Sequence, residues 1–317
     1  MRIVFLDRDS FAPSVRLDRP AADHVWVEHA RSAPEEVAAR LAEADIAITN
    51  KAPIRQPAIA GAPRLQMIAV TATGTDCVDT AAAQARGIVV SNVRGYATET
   101  VPEHVFALIL ALRRSIPGYR DDVVAGQWQA SQSFCLIGRP IRNLAGSTLG
   151  IIGAGAIGRA VQRIGTAFGM RTLLAARKGA PADGPYTAFD DVLAAADILT
   201  LHCPLTPATR NLIALPELRK MIRRPLLINT ARGGLVDEAD LVRALNEGLV
   251  AGIGFDCLTR EPPSPDNPLL AVAGRPNVIL TPHVAWASEE AMQALWDQSL
   301  ANIAAFLAGA PRNVVAG

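Results

Sequence analysis

The sequence predicts an α/β protein of two domains, each centred on a parallel sheet, and three observations carry that prediction. Short apolar runs alternate with helical patterns along the chain. A glycine fingerprint follows directly on one of those runs. The length, 317 residues, exceeds the roughly 250 at which single cores stop growing. Two domains imply a cleft between them.

The first series contains the strand-like runs RIVFL, IAIT, RLQMIAV and IVVSN, with helical patterns over residues 35–44 and 79–85. Apolar periodicity over residues 100–115 predicts a further helix. After a polar stretch rich in Gln and Ser, the strand TLGII opens a second series that holds ILTL, PLLIN, GIGF and NVIL. The last helix, residues 288–308, has no strand partner of its own and is expected to return to the first domain. No internal repeat or low-complexity segment interrupts this order.

Half of the residues are hydrophobic and 19% are charged, far too much apolar side chain for a disordered chain. The net charge of +1 combines 31 cations with 30 acids. Nearly all the cations are Arg, scattered rather than gathered into a run, so no nucleic-acid surface is expected. Cys77, Cys135, Cys203 and Cys257 form no CxxC pair, which suggests neither a metal site nor a disulfide framework but reduced thiols in a cytoplasm. MRIVFLDRDS reaches Asp7 too soon for a signal peptide, and the longest apolar stretch, residues 105–112, cannot span a bilayer.

Strand TLGII runs into Gly153, Ala154, Gly155, Ala156, Ile157 and Gly158, and Ile157, Val161, Ile164 and Phe168 then recur at helical spacing. This is GxGxxG in its strand-turn-helix context, the signature of a Rossmann-type, doubly wound parallel sheet that binds a dinucleotide. The first glycine makes the tight turn, the second admits the pyrophosphate, and the third lets helix and strand pack closely. Gly153, Gly155, Ala156, Ile157 and Gly158 are therefore the candidate contacts to the phosphates, helped by the free N–H groups of the helix start.

The next strand, MRTLLA, ends in Ala176, Arg177 and Lys178. An acid there would bind the ribose 2′-OH and select NAD. Its absence, with two cations adjacent, predicts a preference for NADP(H), with NAD(H) as the alternative. The competing reading makes Arg177 and Lys178 solvated charges beside a permissive site.

Three further segments each put one ionisable residue after a predicted strand: INTARGG with Arg232, DCLTREPP with Glu261, and TPHVAWAS with His283. Strand carboxyl ends border the ligand crevice of a doubly wound sheet, so these side chains are expected to converge. Taken singly, each has a structural reading: a loop arginine, a solvated acid before Pro262, a buried histidine after Pro282. His24, His29, His104 and His202 sit in no motif that needs an imidazole. Trp286 either closes a substrate pocket or, with Trp296, belongs to core or interface.

In GAGAIG, LHCPLTPATRNLI, INTARGGLVDE and TPHVAWAS the sequence resembles the D-isomer-specific 2-hydroxyacid dehydrogenases over essentially its whole length. VFLDRDS, TNK, TATGTDCVD and WQASQSFC are most similar to the glycerate dehydrogenase (hydroxypyruvate reductase) branch. The resemblance implies a Rossmann domain, residues 99–287, inserted into a flavodoxin-like substrate domain made of residues 1–98 and 288–317. It implies that Arg232 holds the substrate's carboxylate and oxo group, that Glu261 pairs with His283, and that His283 exchanges the proton. The loop Thr73, Gly74, Thr75 would bind the substrate carboxylate through backbone N–H groups, where a glycine leaves the approach open. Cys203, Pro204, Thr230, Ala231 and Asp256 match cofactor-contacting positions, Asp256 through the carboxamide. Domain closure would bring the two substrate-binding parts together.

The implied activity is reduction of hydroxypyruvate or glyoxylate to D-glycerate or glycolate, without a metal, by a homodimer joined through the cofactor domain. A reductase of a bulkier 2-oxo acid and a nucleotide-sensing, corepressor-like protein on the same fold are the alternatives. Where other members carry a regulatory domain the sequence stops at Gly317, so control by one is not expected.

Overall fold

The computed structural model describes all 317 residues, Met1–Gly317. The chain forms two compact units, one made of Met1–Ala97 with Ala287–Gly317 and the other of Thr98–Trp286.

The first unit contains β1 (Arg2–Phe5), β2 (Val25–Glu28), β3 (Ile46–Thr49), β4 (Met67–Val70) and β5 (Val89–Ser91). The second contains β6 (Thr148–Ile152), β7 (Arg171–Ala175), β8 (Tyr186–Thr187), β9 (Ile198–Leu201), β10 (Leu226–Asn229), β11 (Gly252–Phe255) and β12 (Val278–Leu280). The chain then returns to the first unit through the helix Glu289–Leu307 and ends in β13 (Val314–Ala316).

In the first sheet the order is β13-β5-β4-β3-β1-β2. Its parallel part follows the flavodoxin-like order, and only β13 runs antiparallel, on β5. The second sheet, β12-β11-β10-β9-β6-β7-β8, is parallel throughout. It has the Rossmann order, with its switch point between β6 and β9. Strands β3, β4, β9, β10 and β11 are buried at every residue, because helices cover both faces of a parallel sheet. That is why they appear in the sequence as unbroken apolar runs.

Several expectations are corrected. The helical pattern over residues 35–44 yields only Val37–Leu41, and Glu36 turns its carboxylate back to the Ala33 N–H at 2.8 Å. Three strands carried no readable signal. β2 is an edge strand with no fully buried residue, β8 has two residues, and β13 has three. The last helix is therefore followed by a strand after all. On the helix Ala156–Ala167 the buried face is Gly158, Ala160, Val161 and Gly165, whereas Phe168 lies past its end and stacks on Phe106 at 5.4 Å. Small residues let that helix approach β6: a Cβ on Gly165 would stand 2.8 Å from Leu149.

Trp296 belongs to the core. It is fully buried, its indole N–H donates to the Asp18 carbonyl at 3.0 Å, and its ring meets Phe5 at 5.2 Å and Phe11 at 5.5 Å. It thereby fastens the C-terminal helix to β1. Replacing it, Trp296→Ala, should lower the stability of this unit by about 3–5 kcal/mol, the usual cost of emptying a large aromatic site. Urea unfolding measures this, and a loss below about 1 kcal/mol would contradict the packing described.

Candidate active site

At the carboxyl end of β6 the fingerprint glycines are held by backbone contacts. Gly153 has φ +103°, and a Cβ there would lie 2.6 Å from the Cys203 nitrogen, so the turn after β9 rests directly on it. A Cβ on Gly158 would fall on the Gly153 carbonyl oxygen. Gly155, by contrast, faces open space and caps the helix that begins at Ala156 and Ile157. A twelve-residue helix whose first N–H groups have no helical partner opens there. These residues fit a dinucleotide: the cradle is open where the pyrophosphate must approach and closed where the strand and helix must meet.

Thr230 adds a second sign of fit, since its Oγ1 is buried without a hydrogen-bond partner. A buried hydroxyl left unpaired is costly and rare. Cys203 is half-buried, and burial raises its thiol pKa. Pro204 is exposed beside it.

At the end of β7 the structure narrows the reading of the two cations. Ala176 is buried and donates its N–H to Thr187 at 2.8 Å. Arg177 is exposed, but Lys178 is paired with the buried carboxylate of Glu217 at 2.9 Å. Glu217 is itself engaged at a helix start, accepting from the Ala214 N–H at 3.2 Å. Arg177 is thus the unengaged charge at this strand end, a distinction invisible in the sequence because Glu217 lies 39 positions away.

The loop after β10 is braced by a residue the sequence reading passed over. Asn229, buried at the strand end, accepts from the Ala231 N–H at 3.1 Å and donates to the Arg232 carbonyl at 2.9 Å. Arg232 is half-buried and donates from one Nη to the Ala231 carbonyl at 2.7 Å. Gly233 has no room for a side chain, since a Cβ would fall on the Leu258 carbonyl. The Arg232 loop and the loop after β11 are therefore locked backbone to backbone.

That second loop carries Glu261. One of its oxygens accepts from the Leu258 N–H at 3.0 Å, and the other meets His283 Nδ1 at 2.6 Å. Glu238 supports the same loop, accepting from the Thr259 N–H at 2.6 Å and from Asn267 at 2.7 Å. Arg232, Glu261 and His283 thus sit on loops that follow consecutive strands, β10, β11 and β12.

His283 has φ +56°, and Asp256 explains how that conformation is held. The Asp256 carboxylate is buried and accepts from Thr281 Oγ1 at 2.6 Å and from the N–H groups of Val284 and Ala285 at 2.9 Å each. Both of its oxygens accept from the loop that bears His283, so it anchors that loop, and Oδ2, with one partner, keeps acceptor capacity to spare. His104 Nε2 joins this cluster, 3.0 Å from Thr281 Oγ1 and 3.7 Å from Asp256. Trp286 donates its indole N–H to the His283 carbonyl at 2.9 Å.

His202 turns Nε2 onto the buried Thr200 hydroxyl at 3.0 Å, and burial pushes its pKa down to about 3. It stays neutral beside the fingerprint turn. His24 contacts the Ala22 carbonyl, and burial lowers the His29 pKa.

Thr73, Gly74 and Thr75 belong to the first unit, after β4. Thr73 donates its hydroxyl to the Val93 carbonyl at 2.8 Å, and its own carbonyl accepts from Asn92 at 2.8 Å, so the loop is anchored at its start. No group of three or more His, Cys, Asp or Glu gathers to hold a metal ion, and no helix is long and apolar enough to cross a membrane.

Residues 106–285 match the family described as "D-isomer specific 2-hydroxyacid dehydrogenase, NAD binding domain". The chain is 50% identical to a glycerate dehydrogenase of Methylorubrum extorquens over 316 residues, covering 99% of this chain and 98% of that one. It is 37% identical to a hydroxypyruvate reductase of Blautia hydrogenotrophica over 285 residues, 89% and 88% of the two chains. The crystal structure of an NADPH-dependent glyoxylate/hydroxypyruvate reductase from Sinorhizobium meliloti, in complex with citrate, superposes with a TM-score of 0.83 at 31% identity, covering 99% and 97%. The glycine-lined turn, the switch-point topology and these likenesses agree: the chain belongs to the D-isomer-specific 2-hydroxyacid dehydrogenases.

Proposed function

We propose that this enzyme reduces hydroxypyruvate or glyoxylate to D-glycerate or glycolate, with NADPH preferred and NADH as the alternative. The observation that carries the reading is the 2.6 Å contact between His283 Nδ1 and Glu261, on a loop interlocked with the one that bears Arg232. The names of the similar proteins, glycerate dehydrogenase and hydroxypyruvate reductase, support the substrate class.

In this mechanism Arg232 binds the substrate's carboxylate and oxo group, since its guanidinium has donors beyond the one given to Ala231. The Thr73, Gly74, Thr75 loop of the substrate domain adds backbone N–H donors to the carboxylate. Gly153, Gly155, Ala156, Ile157 and Gly158 hold the cofactor's pyrophosphate, and Thr230, Ala231, Cys203 and Pro204 line its further course. When bound, the reduced nicotinamide supplies the hydride. As the carbonyl carbon receives it, negative charge grows on oxygen, where Arg232 stabilises it and His283 delivers a proton from Nε2. Glu261 fixes the imidazole by its other nitrogen, which leaves Nε2 to face the substrate. In the reverse direction His283 takes the proton back.

The preference for NADPH rests on Ala176 and on Arg177, whose guanidinium is free to pair with a 2′-phosphate. A homodimer joined through the cofactor domain is supported by an unusual run of exposed apolar side chains: Ile116, Val124, Phe134, Ile137 and Ile141, with Phe134 92% and Ile137 87% exposed. Four unpaired cysteines suit a cytoplasmic location, and the scattered arginines suit no nucleic-acid partner.

With hydroxypyruvate as substrate, His283→Ala should lower kcat by roughly 10²- to 10⁴-fold, the range for losing one general acid, while the fluorescence titration of NADPH stays close to wild type. Unchanged turnover would remove His283 from the mechanism. Ala176→Asp should shift the ratio of kcat/KM values for NADPH and NADH toward NADH, by repulsion of the 2′-phosphate. A ratio that does not move would show that this strand end does not face the ribose.

A further inference from the structure

The second unit carries a cavity of about 440 Å³ that the proposed chemistry does not use. It opens at the amino ends of the strands: its walls include Asp197 just before β9, Leu226 at the start of β10, Ala251 just before β11 and Asn277 just before β12. The fingerprint turn lies at the carboxyl end of the same sheet. Strands of four residues at about 3.3 Å each separate the two ends by more than 10 Å, so a dinucleotide on the glycine turn does not fill this cavity.

Five guanidinium groups line it, those of Arg113, Arg139, Arg142, Arg223 and Arg224. Two of them are neutralised. Arg139 grips Asp122 with two contacts of 2.6 Å, and Arg223 donates twice to one oxygen of Asp197, whose other oxygen accepts the Thr148 N–H. Arg113, Arg142 and Arg224 have no carboxylate partner. Arg113 reaches only the Asn143 carbonyl, at 2.8 Å, and its Nε is buried without any hydrogen-bond partner. Burial lowers its pKa most, the Asp197 carboxylate opposes that, and the nearby positive charge of Arg142 adds to it. Arg142 and Arg224 are exposed and make no side-chain hydrogen bond or ion pair.

Like charges gathered in a concave site raise the local potential and attract an anion. Five guanidiniums against the two carboxylates of Asp122 and Asp197 leave an excess of three positive charges, which calls for more than one negative charge. A phosphoryl group offers about 1.5 to 2 charges and three acceptor oxygens, against one charge and two oxygens for a carboxylate. Beside the arginines the wall is apolar, with Leu112, Val250 and Pro276, a surface for the body of a small molecule rather than for a polymer. We propose that this cavity is a second anion site, which takes a small phosphoryl-bearing molecule at the end of the Rossmann sheet opposite the cofactor.

The test is calorimetric titration of inorganic pyrophosphate into the full-length protein saturated with NADPH, which blocks the glycine turn. The expected result is one saturable site per chain, weakened by added salt, with Kd raised at least about tenfold in the Arg142→Ala, Arg224→Ala double variant. These two side chains make no hydrogen bond or ion pair within the chain and lie away from the proposed reaction, so the variant should keep its turnover of hydroxypyruvate. Absence of saturable binding under cofactor saturation, or equal affinity in the double variant, would overturn the proposal. Acetate competing as well as pyrophosphate would overturn the assignment to a phosphoryl group. Because the readout is binding away from the reaction, its failure would leave the proposed reductase activity untouched.

Discussion

A single buried carboxylate holds the loop of the candidate site in place. Asp256 stands where β11 ends, nearly sealed from water, and a charge in that position is tolerable only if donors surround it. The donors come from residues 281–285: one hydroxyl and two backbone N–H groups. The loop is thereby bent around the carboxylate, and His283 is left at φ +56°, a region that non-glycine residues occupy only when their surroundings over-determine it. The 2.6 Å contact to Glu261 depends on that bend.

The remaining parts reach the same strand ends by glycine rather than by charge. Gly153 lets the turn after β9 touch the turn after β6, and Gly233 lets the loop after β10 touch the loop after β11. In each case backbone occupies the place of a side chain. Four loops from four strands are in this way fastened in two pairs, and the geometry of the proposed site is a property of the parallel sheet beneath them. Asn229 and Glu238 complete the bracing by satisfying loop N–H and carbonyl groups that water would otherwise have to reach.

What was legible in the sequence follows from these physical causes. Strands buried on both faces appear as apolar runs, so the inner strands of both sheets could be placed; β2, β8 and β13, short and at or near sheet edges, left no such trace. The candidate residues after β10, β11 and β12 were visible because ionisable groups just after apolar strands stand out. Their supports were not: Asn229 is read as the end of a strand, and Thr281 and His104 meet across 177 positions. The same holds for Lys178, whose partner Glu217 is set by folding alone and leaves Arg177 as the available cation. The arginine cavity was hidden for the same reason, since its walls come from segments spread from Leu112 to Asn277 and show no charge run.

The most direct test of the account is oxidation of the reduced cofactor by the purified wild-type protein, followed by absorbance with hydroxypyruvate, glyoxylate, pyruvate and a phenyl-substituted 2-oxo acid, each with NADPH and with NADH. The account predicts rapid turnover of hydroxypyruvate or glyoxylate, with NADPH favoured in kcat/KM, and slow or no turnover of the bulky acid. Oxidation of neither cofactor with hydroxypyruvate or glyoxylate would contradict it.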